Sequence, residues 1–165
     1  MTFSWADLEA AAPEVAAPGR ALLERHRFVL AGTIRRDGTP RISPVEAHLV
    51  RGELMLVMIA GTLKARDVLR DPRLVLNSPV IDPGDPVEEF KLRGRALETD
   101  DATQRQATAE AIEAASGWRP KLEWHFFAID VEDAAHIAWQ AGVMDMRRWS
   151  RGGGVERVKR PVAVL

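Results

Sequence analysis

Lys64 and Arg66 stand in the first turn of a short helical segment that Thr62 opens within "GTLKARDVLRDPRLVLNSPV", residues Gly61 to Val80. The helix macrodipole favours acids in a first turn and cations in a last one, so bases at the start cost a little unless an anion sits among them. Exposed amides at a helix start, with positive side chains beside them, are what a phosphate needs. Arg41 begins a strand that can neighbour this helix, and it joins the set. Solvated bases on a short surface helix would explain the same spacing.

Other chemistries find less support. The chain has no cysteine, which removes disulfides, a thiolate nucleophile and Cys-ligated metals. His26, His48, His125 and His136 fall in four different elements with no spacing suited to a metal, and no metal site is expected. Ser43 in "ISPV" lacks both the strand-to-helix elbow and the base of a nucleophilic serine. The adjacent acids of "DPVEEF" project differently and read as a solvated loop, and "RGGGV" reads as a loose one. Metalloprotease, phosphate-loop, dinucleotide and calcium-loop motifs are absent. Arg93 and Arg95 form a second basic row, which a solvated sheet face or a dimer salt-bridge network explains as well as ligand contact. Around Trp124 and Phe126 both faces of a strand bear bulk, as in a core, a subunit contact or the wall of a site for a flat aromatic ligand. No residue is assigned as catalytic.

The bulk properties set limits on these options. A chain of 165 residues fits one domain, 1–165, with a helical N-terminal segment over 1–26 and a tail over 141–165. Lys and Arg number 23 against 24 Asp and Glu, so net charge gives no argument for nucleic acid and any anion site must be local. No apolar run approaches the roughly 18 residues of a membrane helix, and Asp7, Glu9 and Glu14 occupy the start, where a signal peptide would be apolar. A cytoplasmic protein without nucleic-acid or membrane partners is expected.

The positioning elements follow from pattern. "SWADLEAA" opens with a capping Ser4 and an acid at Asp7, Pro13 ends or kinks that piece, and a second helix is expected from about Pro18 to His26. "FVLAGTI", "RISPVEAHLV" and "ELMLVMIA" read as three antiparallel strands joined at Asp37-Gly38 and Arg51-Gly52, the third apolar on both faces. A helix over Leu63 to Arg70 buries Ala65, Val68 and Leu69, and "RLVLN" is the fourth strand. The proline-rich stretch over 78–86 is a loop with a role beyond connection. "FKLRGRALET" is the fifth strand, with Lys91, Arg93 and Arg95 on one face. Thr99 or Asp100 caps a helix to Ser116, "LEWHFFAIDV" is the sixth strand, and "HIAW" extends the sheet.

The order of these pieces, from "FVLAGTI" through the "SPV" strand and "GTLKARDVLRDPRLVL" to "FKLRGRALE", resembles the pyridoxamine 5'-phosphate oxidase-like superfamily of flavin and deazaflavin oxidoreductases. The resemblance covers about Phe28 to Glu98. It implies a mainly β fold, a six-stranded antiparallel split β-barrel of the FMN-binding type with peripheral helices, assembled as a homodimer with cofactor sites at the subunit boundary. It implies FMN as cofactor, with the deazaflavin coenzyme as alternative, and hydride exchange with a small organic substrate. Non-catalytic flavin or haem binding also occurs in the superfamily. Lys64 and Arg41 would hold the cofactor phosphate with Ser43, Thr62 and Arg66, while the backbone of "SPVE", with Pro44, Val45 and Glu46, and of the third strand would line the ring, and the loop near Asn77 to Val80 would face it too. The arginine-rich and C-terminal substrate motifs of true pyridoxamine phosphate oxidases are missing, so the superfamily name does not give the substrate. The chain has no tyrosine, and a proton donor must be a histidine, a carboxylate or water.

Overall fold

The structure, a computed structural model, describes residues 1–80 and 87–162. Most of the proline-rich loop expected over 78–86 lies outside the described residues. Helix α1 (Trp5–Ala11) starts from a reciprocal capping box in which Ser4 Oγ accepts from the Asp7 amide and the Asp7 carboxylate accepts from the Ser4 amide. Helix α2 spans Pro13–His26, five residues earlier than expected. Pro13 sits in its first turn, where its missing N–H costs nothing. Pro18 is then carried inside the helix because the buried face of Val15, Ala16, Leu22 and Leu23 outweighs one lost backbone bond.

Eight strands follow: β1 (Phe28–Ile34), β2 (Pro40–Val50), β3 (Glu53–Met58), β4 (Arg73–Asn77), β5 (Val87–Glu98), β6 (His125–Gln140), β7 (Val143–Ser150) and β8 (Gly154–Pro161). Helix α3 (Leu63–Arg70) lies between β3 and β4, and α4 (Ala102–Ser116) between β5 and β6. Arg51 and Gly52 both have positive φ, 53° and 82°, which turns β2 tightly into β3.

The expected six-stranded split β-barrel is corrected by the sheet. All eight strands form one antiparallel sheet in the order β3-β2-β1-β4-β5-β6-β7-β8, and that sheet as a whole does not close into a barrel. It curls until β3 meets β6 over four residue pairs, Met55 with Ala128 through Met58 with His125, and β7 and β8 run on past this seam to an open edge. Residues expected as a tail therefore supply two strands. Strand β6 is what makes this possible: at 16 residues it is long enough to pair with β3 near its start and with β7 over the remainder. The changeover coincides with a bulge in the β5–β6 register beside Gly94, where the strand can bend.

Burial on both faces of β3 is observed. Leu54, Leu56 and Met58 join the main core with Trp5, Leu8, Leu23, Phe90 and Phe127, while Met55 joins a second cluster with Val50, Ala109 and Phe126 under α4. Asp101, not Thr99 or Asp100, caps α4, its carboxylate accepting from the amides of Thr103 and Gln104. Among the described residues no helix is long and apolar enough to cross a membrane.

Candidate functional site

Helix α3 is held on the sheet by charge. Arg41 on β2 lies opposite Thr33 on β1, and both reach Asp67: the arginine Nε donates to Oδ2 at 2.6 Å and the threonine hydroxyl lies 3.4 Å from the same oxygen. Arg70 approaches Oδ1 at 3.4 Å. Asp67 is buried, and Leu69, expected inside, is exposed instead. The ion pair decides this inversion, since burying an aspartate requires its partners on the same face. Burial works to raise the Asp67 pKa, but the hydrogen bond and charge of Arg41, followed by those of Arg70, outweigh it and hold the carboxyl below its ordinary 3.8.

The sign of the resulting pH dependence follows. A carboxyl depressed on folding contributes stability that is complete above its unfolded pKa and is lost as pH falls through the folded value. Asp67→Asn is expected to cost about 1–2 kcal/mol at neutral pH and to flatten the fall of the melting temperature below pH 3.8. Thermal unfolding of both proteins across the acid range checks this; parallel curves would refute it.

The first turn of α3 divides two concavities. On one side Lys64 joins Phe28, Pro44, Val45, Glu46, Val57, Ile59, Trp118 and Trp124 around a cleft of about 310 Å³. Its outer wall is aromatic, with the Trp118 and Trp124 ring centroids 5.4 Å apart and tilted by 35°. The Lys64 ammonium donates to the Pro44 carbonyl at 2.8 Å, and burial lowers its pKa. On the other side Leu63 faces a groove of about 490 Å³ lined by Arg35, Arg36, Asp37, Arg41, Arg66, Asp67 and Arg70. Arg35, Arg36 and Arg66 form no ion pair among the described residues, so the groove is electropositive.

The structure brings some of the expected site residues together and separates others. Lys64, Pro44 and Val45 share the cleft, whereas Arg41 and Arg66 share the groove. Arg41 spends its Nε on Asp67, and its side chain makes no other hydrogen bond among the described residues. Ser43 is half-buried opposite Ala31 and lines neither space. Thr62 is the N-cap of α3 by position, but its hydroxyl donates to the Ile59 carbonyl instead of accepting from the first turn, which leaves those amides uncapped. Sequence reasoning missed Phe28 and Trp118 as lining residues. Their signals were weak: Phe28 reads as a strand start and Trp118 as loop beyond the Gly117 helix end. Among the described residues no group of three or more His, Asp or Glu could hold a metal ion.

No protein-family model matches the chain, and no curated protein matches it in sequence. Its fold, however, is similar to that of solved structures. PhzG from Burkholderia lata 383, in complex with tetrahydrophenazine-1-carboxylic acid, is 9% identical with a TM-score of 0.62, covering 88% of this chain and 87% of that one. A protein of the pyridoxinephosphate oxidase family from Clostridium acetobutylicum, related to general stress protein 26, is 12% identical with a TM-score of 0.57 over 88% and 93% of the two chains. HutZ, the heme storage protein from Vibrio cholerae, is 13% identical with a TM-score of 0.57 over 74% and 90%. At such identities the likeness carries the fold and not the chemistry, and these neighbours bear names of different chemistries. What the chain shares with these structures is their fold.

Proposed function

We propose that the protein is a flavin-dependent oxidoreductase that seats the ring of FMN in the Trp118–Trp124 cleft and its phosphate at the first turn of α3. The observation that carries this reading is the meeting, at Lys64, of an aromatic-walled cleft with an uncapped helix start, whose other side faces a groove with three arginines that form no ion pair among the described residues. A flat apolar ring suits the first and a phosphate suits the second. The residues fit the cofactor in type: Lys64 and Arg66 supply charge, the first-turn amides supply donors, and Phe28, Val57 and the two tryptophans supply apolar surface. Bound FMN would supply the hydride chemistry; the chain's part is to orient the ring, exclude water from it and set the charge beside it. The substrate is a small organic molecule that can lie against the ring.

A second copy of the chain belongs to this reading. Ile42 on β2 and Val75 on β4 both sit opposite Gly32 on β1, and with Leu30 they leave an exposed apolar strip across three neighbouring strands. Pairing such strips would bury them beside Pro44, at the rim of the cleft.

Absorbance of the purified protein, read with quenching of its tryptophan fluorescence on addition of FMN or of the deazaflavin coenzyme, tests the proposal. Saturable quenching by FMN is the expected result. Quenching by the deazaflavin alone would move the chain to deazaflavin chemistry, and a haem spectrum with no flavin binding would replace the reading by haem binding. A protein that takes up none of the three would refute it.

A further inference from the structure

Arg105 on α4 is a cation without an acid. It forms no ion pair among the described residues, and its guanidinium donates instead to three backbone carbonyls: Nη1 to Thr99 at 3.3 Å, and Nη2 to Trp124 at 2.8 Å and to Leu122. Its Cζ lies 4.9 Å from the centre of the Phe126 ring, within cation–π reach. Thr99 precedes α4 whereas Leu122 and Trp124 follow it, so one planar fork gathers the chain on both sides of the helix.

The gathered segment is the outer wall of the cleft. Residues 117–124 carry both tryptophans and contain neither helix nor strand. Their near end is fastened to α4, where Ser116 Oγ accepts from the Trp118 amide at 3.2 Å and Arg119 pairs with Glu113. At the far end the segment has one turn bond of its own, from the Trp124 amide to the Lys121 carbonyl at 3.1 Å, and pairing with β3 begins only at His125. Arg105 supplies the cross-ties in between. Burial cannot do the same work, since Trp118 is 42% exposed.

We propose that Arg105 is a positioning residue of the cleft: by holding the Leu122 and Trp124 carbonyls it fixes the Trp118–Trp124 pair at the spacing that receives a flat ring. The inference rests on the flavin reading for its ligand but not for its geometry. Without the arginine, the ligand itself would have to order the wall, and ordering large side chains subtracts from affinity. Two indoles 5.4 Å apart and tilted by 35° are also close enough to couple electronically, which gives circular dichroism bands of opposite sign that vanish when the pair separates.

The test compares wild type, Arg105→Met and Arg105→Lys by circular dichroism of the ligand-free chain and by titration with FMN, each below the melting midpoint of the protein concerned. Trp118→Phe identifies the coupled bands by abolishing them. Arg105→Met keeps side-chain length and the contact with Phe126 but has no donor, and it is expected to lose the coupled bands and to bind FMN about tenfold more weakly. Arg105→Lys, whose compact ammonium cannot span three carbonyls, should keep part of both. Coupled bands and affinity both intact in Arg105→Met, whatever its melting temperature, would leave Arg105 a structural tie and overturn the inference while the flavin reading stands. Bands lost with affinity unchanged would overturn it too, because the pair would not be what receives the ring, and so would a wild type without coupled bands. Should Arg105→Met fail to fold, full bands and full affinity in Arg105→Lys would have the same force. A wild type that binds no FMN would remove the flavin reading, and the bands alone would then decide whether Arg105 sets the pair.

Discussion

Gly94→Ala is expected to destabilise the protein by at least about 3 kcal/mol, more than an ordinary overpacked core position, because the obstacle is backbone. A Cβ built on Gly94 would stand 2.2 Å from the Asp130 carbonyl oxygen and 3.4 Å from Ile129. Gly94 pairs with Val131 while Arg93 pairs with Asp133, so the β6 backbone bulges toward β5 here. Asp130 cannot retreat freely, since its carboxylate accepts from the Phe3 amide at 2.7 Å and also pairs with Arg151. Chemical denaturation of the variant checks the figure, and a loss under 1 kcal/mol would show that β6 yields. Gly19 makes a useful contrast. The atoms nearest a Cβ there are those of the Phe90 ring, at 2.5 Å and beyond, and a ring can move where a strand cannot.

Lys64→Ala carries the second large effect, and it falls on binding. In the flavin reading the lysine makes a charge-assisted contact with the cofactor phosphate, so its removal should weaken FMN binding by about 2 kcal/mol, roughly thirtyfold. The folded chain should barely notice. The ammonium is only half-buried, forms no ion pair among the described residues and donates to one carbonyl, that of Pro44. Titration with FMN beside a melting curve separates the two effects. Equal affinity in the variant would remove Lys64 from the site, and a large fall in melting temperature would make it a structural tie between α3 and β2.

Much of the chain is legible without its fold, and the legible parts share a cause. The β1–β2–β3 meander is written in short-range terms: alternation within each strand, and turns at Asp37-Gly38 and Arg51-Gly52 whose glycines take positive φ of 84° and 82°. Lys91, Arg93 and Arg95 share an exposed face because a strand has a period of two, whatever it pairs with. The α3 start at Leu63 is likewise local, following the positive-φ turn at Gly61, although Thr62 turns its hydroxyl back to Ile59 and does not cap the helix as expected. Errors of the same short range were small. Asp101 displaces its neighbours as a cap because its carboxylate is the one that reaches two first-turn amides.

What the sequence determined by itself was therefore the strands up to β5, the helix that carries Lys64 and the concentration of positive charge at its start. Tertiary structure alone decided that β4 enters between β1 and β5, that β6 leaves β3 for β7, and that 143–161 makes two strands of an unclosed sheet. It decided too that Arg41 is tied to Asp67 while Trp118, 54 residues beyond Lys64, comes to face it across the cleft. Periodicity and turn chemistry act between residues a few positions apart and can be read along the chain. Strand order, ion-pair partners and cleft walls depend on contacts between distant segments, whose energies become definite only once the sheet has curled.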